Sequence, residues 1–230
     1  MTNQEFLDSL SDKAKNIIQY YECQTQKNNV IVYLDNRSFM EANIDGTYII
    51  HVNQNNPFDI MEYEFLHEFY HCVEKDEGYP HISQTHIKYQ KLAAYLTSVV
   101  LDLDVINRMN NIGYSYDDSV LDEKIETIIK LIKLSTLDVE ACNEIHELFQ
   151  YNKLCLSIAF CRILYSNQDK INYILQLAKN NAPDIYKTQS IIYNAITKIG
   201  YDTPRKTYKV FKTLIRELKL SDYVTISPQQ

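Results

Sequence analysis

Two histidines separated by three residues carry the clearest chemical pattern in this sequence. His67 and His71 flank Glu68, Phe69 and Tyr70, and side chains four positions apart lie one above the other on the same face of an α-helix. Two imidazoles in that position can bind one tetrahedral Zn²⁺. Glu68 is the expected general base for a metal-activated water. The H-E-x-x-H spacing therefore predicts a zinc peptidase site, with His67 and His71 as ligands and Glu68 as the catalytic residue.

The residues on either side of this motif predict the helix that must carry it. Pro57 suits the first helical turn, and Asn56 can cap the free N–H groups there. Gly78 suits the left-handed position just past the helix end, with Pro80 beyond it. Apolar residues between these ends predict a mostly buried helix: Ile60, Phe65, Leu66, Phe69, Tyr70 and Val73. The alternative is a pair of core histidines hydrogen-bonded to their neighbours.

Composition favours a helix-rich globular protein. The chain has 230 residues, 45% of them apolar, with only four glycines and five prolines, so it is long enough for one large domain or two small ones. Because no apolar run reaches eighteen residues, we expect no membrane-spanning helix. Five cysteines without a C-x-x-C pair predict reduced, mostly buried thiols, and the N-terminus lacks a signal-peptide pattern. We therefore expect a cytoplasmic protein with no membrane partner.

Charge is distributed unevenly along the chain. The net charge of −7 argues against a general nucleic-acid binder, so we expect no direct nucleic-acid binding. Residues 185–220 nevertheless contain eight lysines or arginines against two acids, a local charge of +6. The basic helix expected from Pro204 is interpreted as a solvated face, with docking to an acidic partner as the alternative.

The order of predicted elements places the histidine motif in a small α+β region. An amphipathic helix over 4–22 is followed by a buried strand over 30–34, an Asp45-Gly46 turn and a second strand over 47–52. His51 on that second strand is interpreted as structural. A loop carrying His81 and a long helix over 83–104 come after the metal helix. Further helices are expected at 118–134, 138–150, 152–165, 168–180, 185–199 and 204–220.

These elements predict an α+β, mostly α fold. We expect a minimal zincin-like core made of a helix, a small β-sheet, the H-E-x-x-H helix and a ligand helix. An all-α region follows it. The polar stretch near residues 105–117 places the boundary between a zincin-like metallopeptidase domain at 1–110 and an all-helical domain at 111–230.

Residues 1–105 resemble the ImmA/IrrE family of zincin-like metallopeptidases. The resemblance lies in the segments 48–53, 64–72 and 90–96, which contain the second strand, the metal helix and the start of the next helix. It implies a Zn²⁺ peptidase, often encoded on phages or mobile elements, that cleaves a regulatory protein such as a repressor. His67, His71 and Glu68 match the family's motif directly.

One position departs from the family pattern. The family's third ligand is a Glu on the helix after the metal helix, and Gln90 occupies that position here. A neutral amide is a poor zinc ligand, so we predict His86, one turn earlier on the expected helix, as the third ligand. Gln90, His81 in the loop or a water remain alternatives.

Other acids near the site are weaker candidates. Glu77 occupies the position of a metzincin's third histidine, but Glu74 occupies the position where that motif needs glycine. Asp102 and Asp104 are interpreted as solvated acids near a helix end. Two rival functions stay open: a catalytically decayed zincin-like protein that binds a partner, and a helical interaction protein with structural histidines.

Overall fold

The computed structural model describes residues 1–25, 30–43, 45–116, 118–134 and 144–227. The fold is mostly helical with a small mixed sheet, which confirms the α+β, mostly α prediction. The chain divides into two compact units: Met1–Glu77 with Arg108–Tyr114, and Gly78–Asn107 with Ser115–Gln230. The two units are regions of dense internal packing, and they do not test whether the chain folds as two domains. The expected domains at 1–110 and 111–230 therefore stay a prediction.

Among the residues that the structure describes, the first unit contains three complete helices, a three-stranded sheet and the end of a further helix. Its elements are α1 (Asn3–Ser9), α2 (Asp12–Thr25), β1 (Val30–Asp35), β2 (Phe39–Ala42), β3 (Tyr48–Asn53) and α3 (Phe58–Asp76). β3 lies in the centre, parallel to β1 and antiparallel to β2. Because side chains alternate along a strand, Tyr48, Ile50 and Val52 of β3 all point into the core, and β3 packs against α3.

Two expectations for this sheet need correction. β1 is buried on one face only: Val32 is 6% exposed, whereas Ile31 and Tyr33 are 44% and 45% exposed, because successive side chains of a strand point to opposite faces of the sheet. β2 was not predicted, and it pairs with β3 across the predicted Asp45-Gly46 turn. Gly46 has a φ of +84° at that turn. His51 on β3 stacks on Phe39 with ring centroids 4.1 Å apart, and its interpretation as structural stays a prediction.

The single helix expected over 4–22 is in fact two helices. The chain leaves helical geometry at Leu10, and Ser11 begins the next helix by accepting a hydrogen bond from the Ala14 N–H at 3.2 Å. The Ser11 backbone N–H and hydroxyl donate to Glu62 of α3 at 2.6 and 2.9 Å. These side-chain bonds compete with helix continuation at Ser11, so apolar periodicity alone could not locate the break.

The second unit is a helical assembly with a two-stranded sheet. Its elements are β4 (His81–Gln84), a 3₁₀ turn (Ile87–Tyr89), α4 (Gln90–Asn111), α5 (Asp118–Leu134), α6 (Glu144–Leu164), α7 (Gln168–Asn181), α8 (Pro183–Ile199), α9 (Pro204–Glu217) and β5 (Val224–Ser227). One apolar core is shared by the helices α5 through α9, by the part of α4 within this unit and by β5. α4 continues into the first unit at Arg108.

The helices from α5 onward agree with the sequence prediction, with one exception. The separate helices expected at 138–150 and 152–165 are one helix, α6, across the residues that the structure describes, and 138–143 lie outside them. β4 and β5 were not predicted, and they pair with each other antiparallel. His81 therefore lies on a strand and not in a loop. Across the described ranges, no helix is long and apolar enough to cross a membrane.

Candidate metal centre

Helix α3 carries the histidine motif, and its apolar residues explain how it is held. Its buried side chains include Met61, Phe65, Leu66, Phe69, Cys72 and Val73. The predicted cap is wrong in detail: Pro57 occupies the N-cap position, and the Asn56 amide donates instead to Glu64 at 2.8 Å. Gly78 follows the helix end with a φ of +83°, as expected. The motif thus lies on a helix whose buried side chains pack into the core.

The two histidines converge on a single point. The Nε2 atoms of His67 and His71 lie 3.3 Å apart, and their rings are nearly perpendicular, with centroids 4.9 Å apart. Two nitrogens bound at 2.0–2.1 Å to a tetrahedral zinc would be about 3.3–3.4 Å from each other. The observed separation therefore fits one metal ion held by both rings.

The other nitrogen of His71 has a buried partner. Nδ1 lies 2.8 Å from Oε2 of Glu74, whose side chain is only 1% exposed. An ionised Glu74 carboxylate could only accept a hydrogen bond, so it would place the His71 hydrogen on Nδ1 and leave the Nε2 lone pair toward His67. The sequence interpretation missed this role, although a spacing of three residues on a helix was the available signal.

Two neighbours of the histidines have different environments. Glu68 follows His67 directly on α3 and is half-buried. Cys72 follows His71 but points into the core, where its exposure is 0%. Burial, and then the carboxylates of Glu68 and Asp76, raise the pKa of the Cys72 thiol. Because its thiol is fully buried in the core, Cys72 is a poor candidate for the third ligand.

His86 does not lie on the helix that the sequence predicted for it. It precedes the 3₁₀ turn Ile87–Tyr89 in extended conformation, with its Nδ1 accepting from the Lys88 N–H at 3.3 Å. Gln90 is the first residue of α4 and is exposed. The expectation that His86 and Gln90 share one helical face is therefore wrong, because the chain forms β4 and a 3₁₀ turn before α4 begins. The role of His86 as a ligand stays a prediction.

The acids in the second half of α4 also differ from expectation. Asp104 is 2% exposed, so its interpretation as a solvated acid is wrong. Asp102 is half-buried and accepts a hydrogen bond from the Ser98 hydroxyl at 2.8 Å. Both lie well before the end of α4 at Asn111, because this helix is longer than predicted.

Comparison with known proteins gives no independent information about the H-E-x-x-H motif. No family model, curated protein or solved structure matches this chain. The likeness to the ImmA/IrrE family therefore rests on the segments 48–53, 64–72 and 90–96. The arrangement of His67, His71 and Glu74 within one compact unit is independent of that likeness.

Proposed function

We propose that this protein is a zinc-dependent metalloendopeptidase that cleaves a regulatory protein in the cytoplasm. The observation that carries the proposal is the 3.3 Å separation of the Nε2 atoms of His67 and His71. A helix, a small sheet and the motif-bearing helix α3, in that order, support a zincin-like core. The regulatory substrate and a phage or mobile-element origin come from the ImmA/IrrE resemblance alone.

His67 and His71 would hold the metal through their Nε2 lone pairs, and His86 is the proposed third ligand. Zinc, when bound, supplies a Lewis acid that polarises a carbonyl and makes water more acidic. Glu68 is the proposed general base, because its carboxylate lies beside the first ligand in the sequence and is half-buried. It would accept a proton from the attacking water and return a proton to the nitrogen of the departing amine.

A substrate trap tests this function. Glu68→Gln removes the proton acceptor while keeping side-chain shape, so the variant should bind zinc and substrate but not cleave. We expect this variant to capture a full-length protein from lysate, whereas wild type should cleave the same protein into two fragments. Mass spectrometry of the captured and released proteins measures the difference. His67→Ala is the control, and it should yield no such fragments. Cleavage by Glu68→Gln at the wild-type rate would contradict the role of Glu68.

The second candidate function is partner binding without catalysis, and helix α9 favours it. One face of α9 is buried through Thr207, Val210, Phe211, Leu214 and Ile215. The opposite face carries exposed cations at spacings of four, three and four residues: Arg205, Lys209, Lys212 and Arg216. This cationic row is about 16 Å long at 1.5 Å per residue. The row suits an acidic protein segment.

The cations of this row differ in how they are paired. Arg216 pairs with Glu217 at 2.7 Å, whereas Arg205, Lys209 and Lys212 form no ion pair with any residue that the structure describes. Exposed Tyr208 lies next to them on the helix. The row therefore offers three cations and an aromatic ring to an acidic partner.

Charge reversal separates the two candidate functions. Lys209→Glu with Lys212→Glu should abolish capture of an acidic partner, while Lys130→Glu with Lys179→Glu, on exposed positions of α5 and α7, should not. Partner capture that survives His67→Ala but fails in the α9 variant would favour the binding function. If partner capture and cleavage both require His67 and are unchanged in the α9 variant, partner binding without catalysis is ruled out.

A further inference from the structure

A buried carboxylate on the motif helix has no role in the H-E-x-x-H pattern. Glu74 lies three residues after His71 on α3, and its side chain is only 1% exposed. Burying an ionised carboxylate is costly unless a hydrogen-bond donor compensates it. Nδ1 of His71 lies 2.8 Å from Oε2 of Glu74, which is the position such a donor would occupy. His71 itself is 16% exposed on its side chain, so this bond is shielded from most of the solvent.

The two nitrogens of one imidazole are chemically coupled. In a neutral ring, a hydrogen on Nδ1 leaves Nε2 as the only lone-pair donor. Histidine ligands commonly donate their second N–H to a carboxylate, which fixes ring orientation and raises the basicity of the ligating nitrogen. The Nε2 of His71 points toward Nε2 of His67, which is the direction that shared metal binding requires.

We infer that Glu74 is a positioning residue that holds His71 in the Nδ1–H tautomer and so keeps Nε2 open for metal. The inference rests on the proposed function for its metal-binding part. The tautomer of His71 is a property of the metal-free protein. It can therefore be disproved independently of metal binding.

Other carboxylates on α3 have different partners, which makes the assignment specific. Glu62, 7% exposed, accepts from Ser11 and from the Tyr114 hydroxyl at 2.6 Å. Glu64 accepts from Asn56. Glu62 is therefore a matched control: it lies on the same helix, is also buried and carries the same charge, but it contacts neither histidine in the bonds that the structure describes.

The tautomer is measured directly on the full-length, metal-free protein. Nitrogen-15 NMR of the histidine rings distinguishes a protonated from a bare nitrogen, and His71→Ala assigns the signal. We expect wild-type His71 to carry its hydrogen on Nδ1. Glu74→Gln should shift the population toward the Nε2–H form, because an amide can turn either its oxygen or its NH₂ toward the ring. Glu62→Gln should leave the tautomer unchanged.

Zinc affinity, measured by competition with a chromophoric chelator, is the second readout. We expect Glu74→Gln to bind zinc about 10–100-fold more weakly than wild type, and Glu62→Gln to bind it within about twofold. An Nε2–H tautomer in wild-type His71 overturns the inference without any variant having to fold. Wild-type tautomer and affinity in Glu74→Gln also overturn it. An Nδ1–H tautomer that depends on Glu74 in a protein that binds no zinc would refute the proposed function and leave the positioning role intact.

Discussion

The Nε2 atoms of His67 and His71 lie 3.3 Å apart on one face of α3. In the Nδ1–H tautomer inferred above, Nδ1 of His71 donates to Glu74 and the Nε2 of His71 presents a lone pair in this gap. A second lone pair from His67 would repel it unless a proton or a cation lies between them. The gap is thus filled either by a hydrogen on His67 Nε2, giving an imidazole–imidazole hydrogen bond, or by a metal. Each prediction below follows from the metal alternative or from the fold that supports it.

Metal should stabilise the folded chain. A ligand that binds only the native state adds RT ln(1 + [L]/Kd) to the free energy of unfolding, about 2.7 kcal/mol at 100 times Kd. Adding a chelator to zinc-loaded wild type should therefore lower its Tm. His71→Ala should melt at the same temperature with or without chelator. Equal Tm values for zinc-loaded wild type with and without chelator would contradict this prediction.

Substitutions near the start of α4 test the third ligand. His86→Ala should weaken zinc binding strongly if its imidazole completes the site, since zinc favours nitrogen ligands. Gln90→Glu should strengthen binding by offering a charged oxygen. Glu126→Gln, which removes an exposed carboxylate on α5, is the comparison variant. A wild-type Kd in His86→Ala, measured by chelator competition, would remove His86 from the ligand set.

Glu62 should make stability depend on acid pH. Burial alone would raise the pKa of Glu62, but the hydrogen bonds from Ser11 and Tyr114 outweigh it, and the pKa lies below its ordinary 4.5. A lowered carboxyl pKa stabilises the fold above the unfolded-state pKa, and that stability is lost as pH falls through the folded-state pKa. Glu62→Gln should therefore cost about 1–3 kcal/mol near pH 7 and unfold with a flatter pH dependence below pH 5.

Urea unfolding at several pH values measures this effect. Glu126→Gln, which is exposed on α5, should keep the wild-type pH dependence and nearly the wild-type stability. The prediction fails if Glu62→Gln and wild type lose stability in parallel as the pH falls below 5.

The thiols should react in an order set by burial. Cys72, Cys155 and Cys161 are buried and unpaired with one another, as the sequence predicted, whereas Cys23 is exposed. Burial raises the pKa of Cys155 to about 12 and that of Cys161 to about 11. Iodoacetamide at pH 8 should therefore label Cys23 first and the three buried thiols only after unfolding. Peptide mapping by mass spectrometry checks this order, and rapid native labelling of Cys72 would contradict the packing of α3. Cys142 lies outside the described residues.

The sequence could predict the elements that local patterns determine. The helices from α5 onward follow from apolar periodicity, and β3 follows from its β-branched run next to Asp45-Gly46. The placement of His67 and His71 on one face of a helix followed from their spacing alone. These features depend on residues within a few positions of one another.

Features that depend on distant residues could not be predicted in the same way. β4 exists because Ile82 pairs with Ile226, far along the chain, and this pairing removes His86 from a helix. The break at Ser11 depends on Glu62, 51 positions away. The role of Glu74 required the side-chain conformations of both Glu74 and His71, which spacing permits but does not determine.

The most direct test of this account is the zinc stoichiometry and affinity of the full-length protein after metal removal. Wild type should bind one zinc per chain. His67→Ala and His71→Ala should each weaken binding by more than about 100-fold, because mutating a residue that only hydrogen-bonds a metal ligand already lowers metal affinity about 10–100-fold. His51→Ala, which removes a histidine that stacks on Phe39, should retain the stoichiometry. A wild-type protein that binds no zinc, or His67 and His71 variants that bind it as tightly as wild type, would contradict the proposed metal centre.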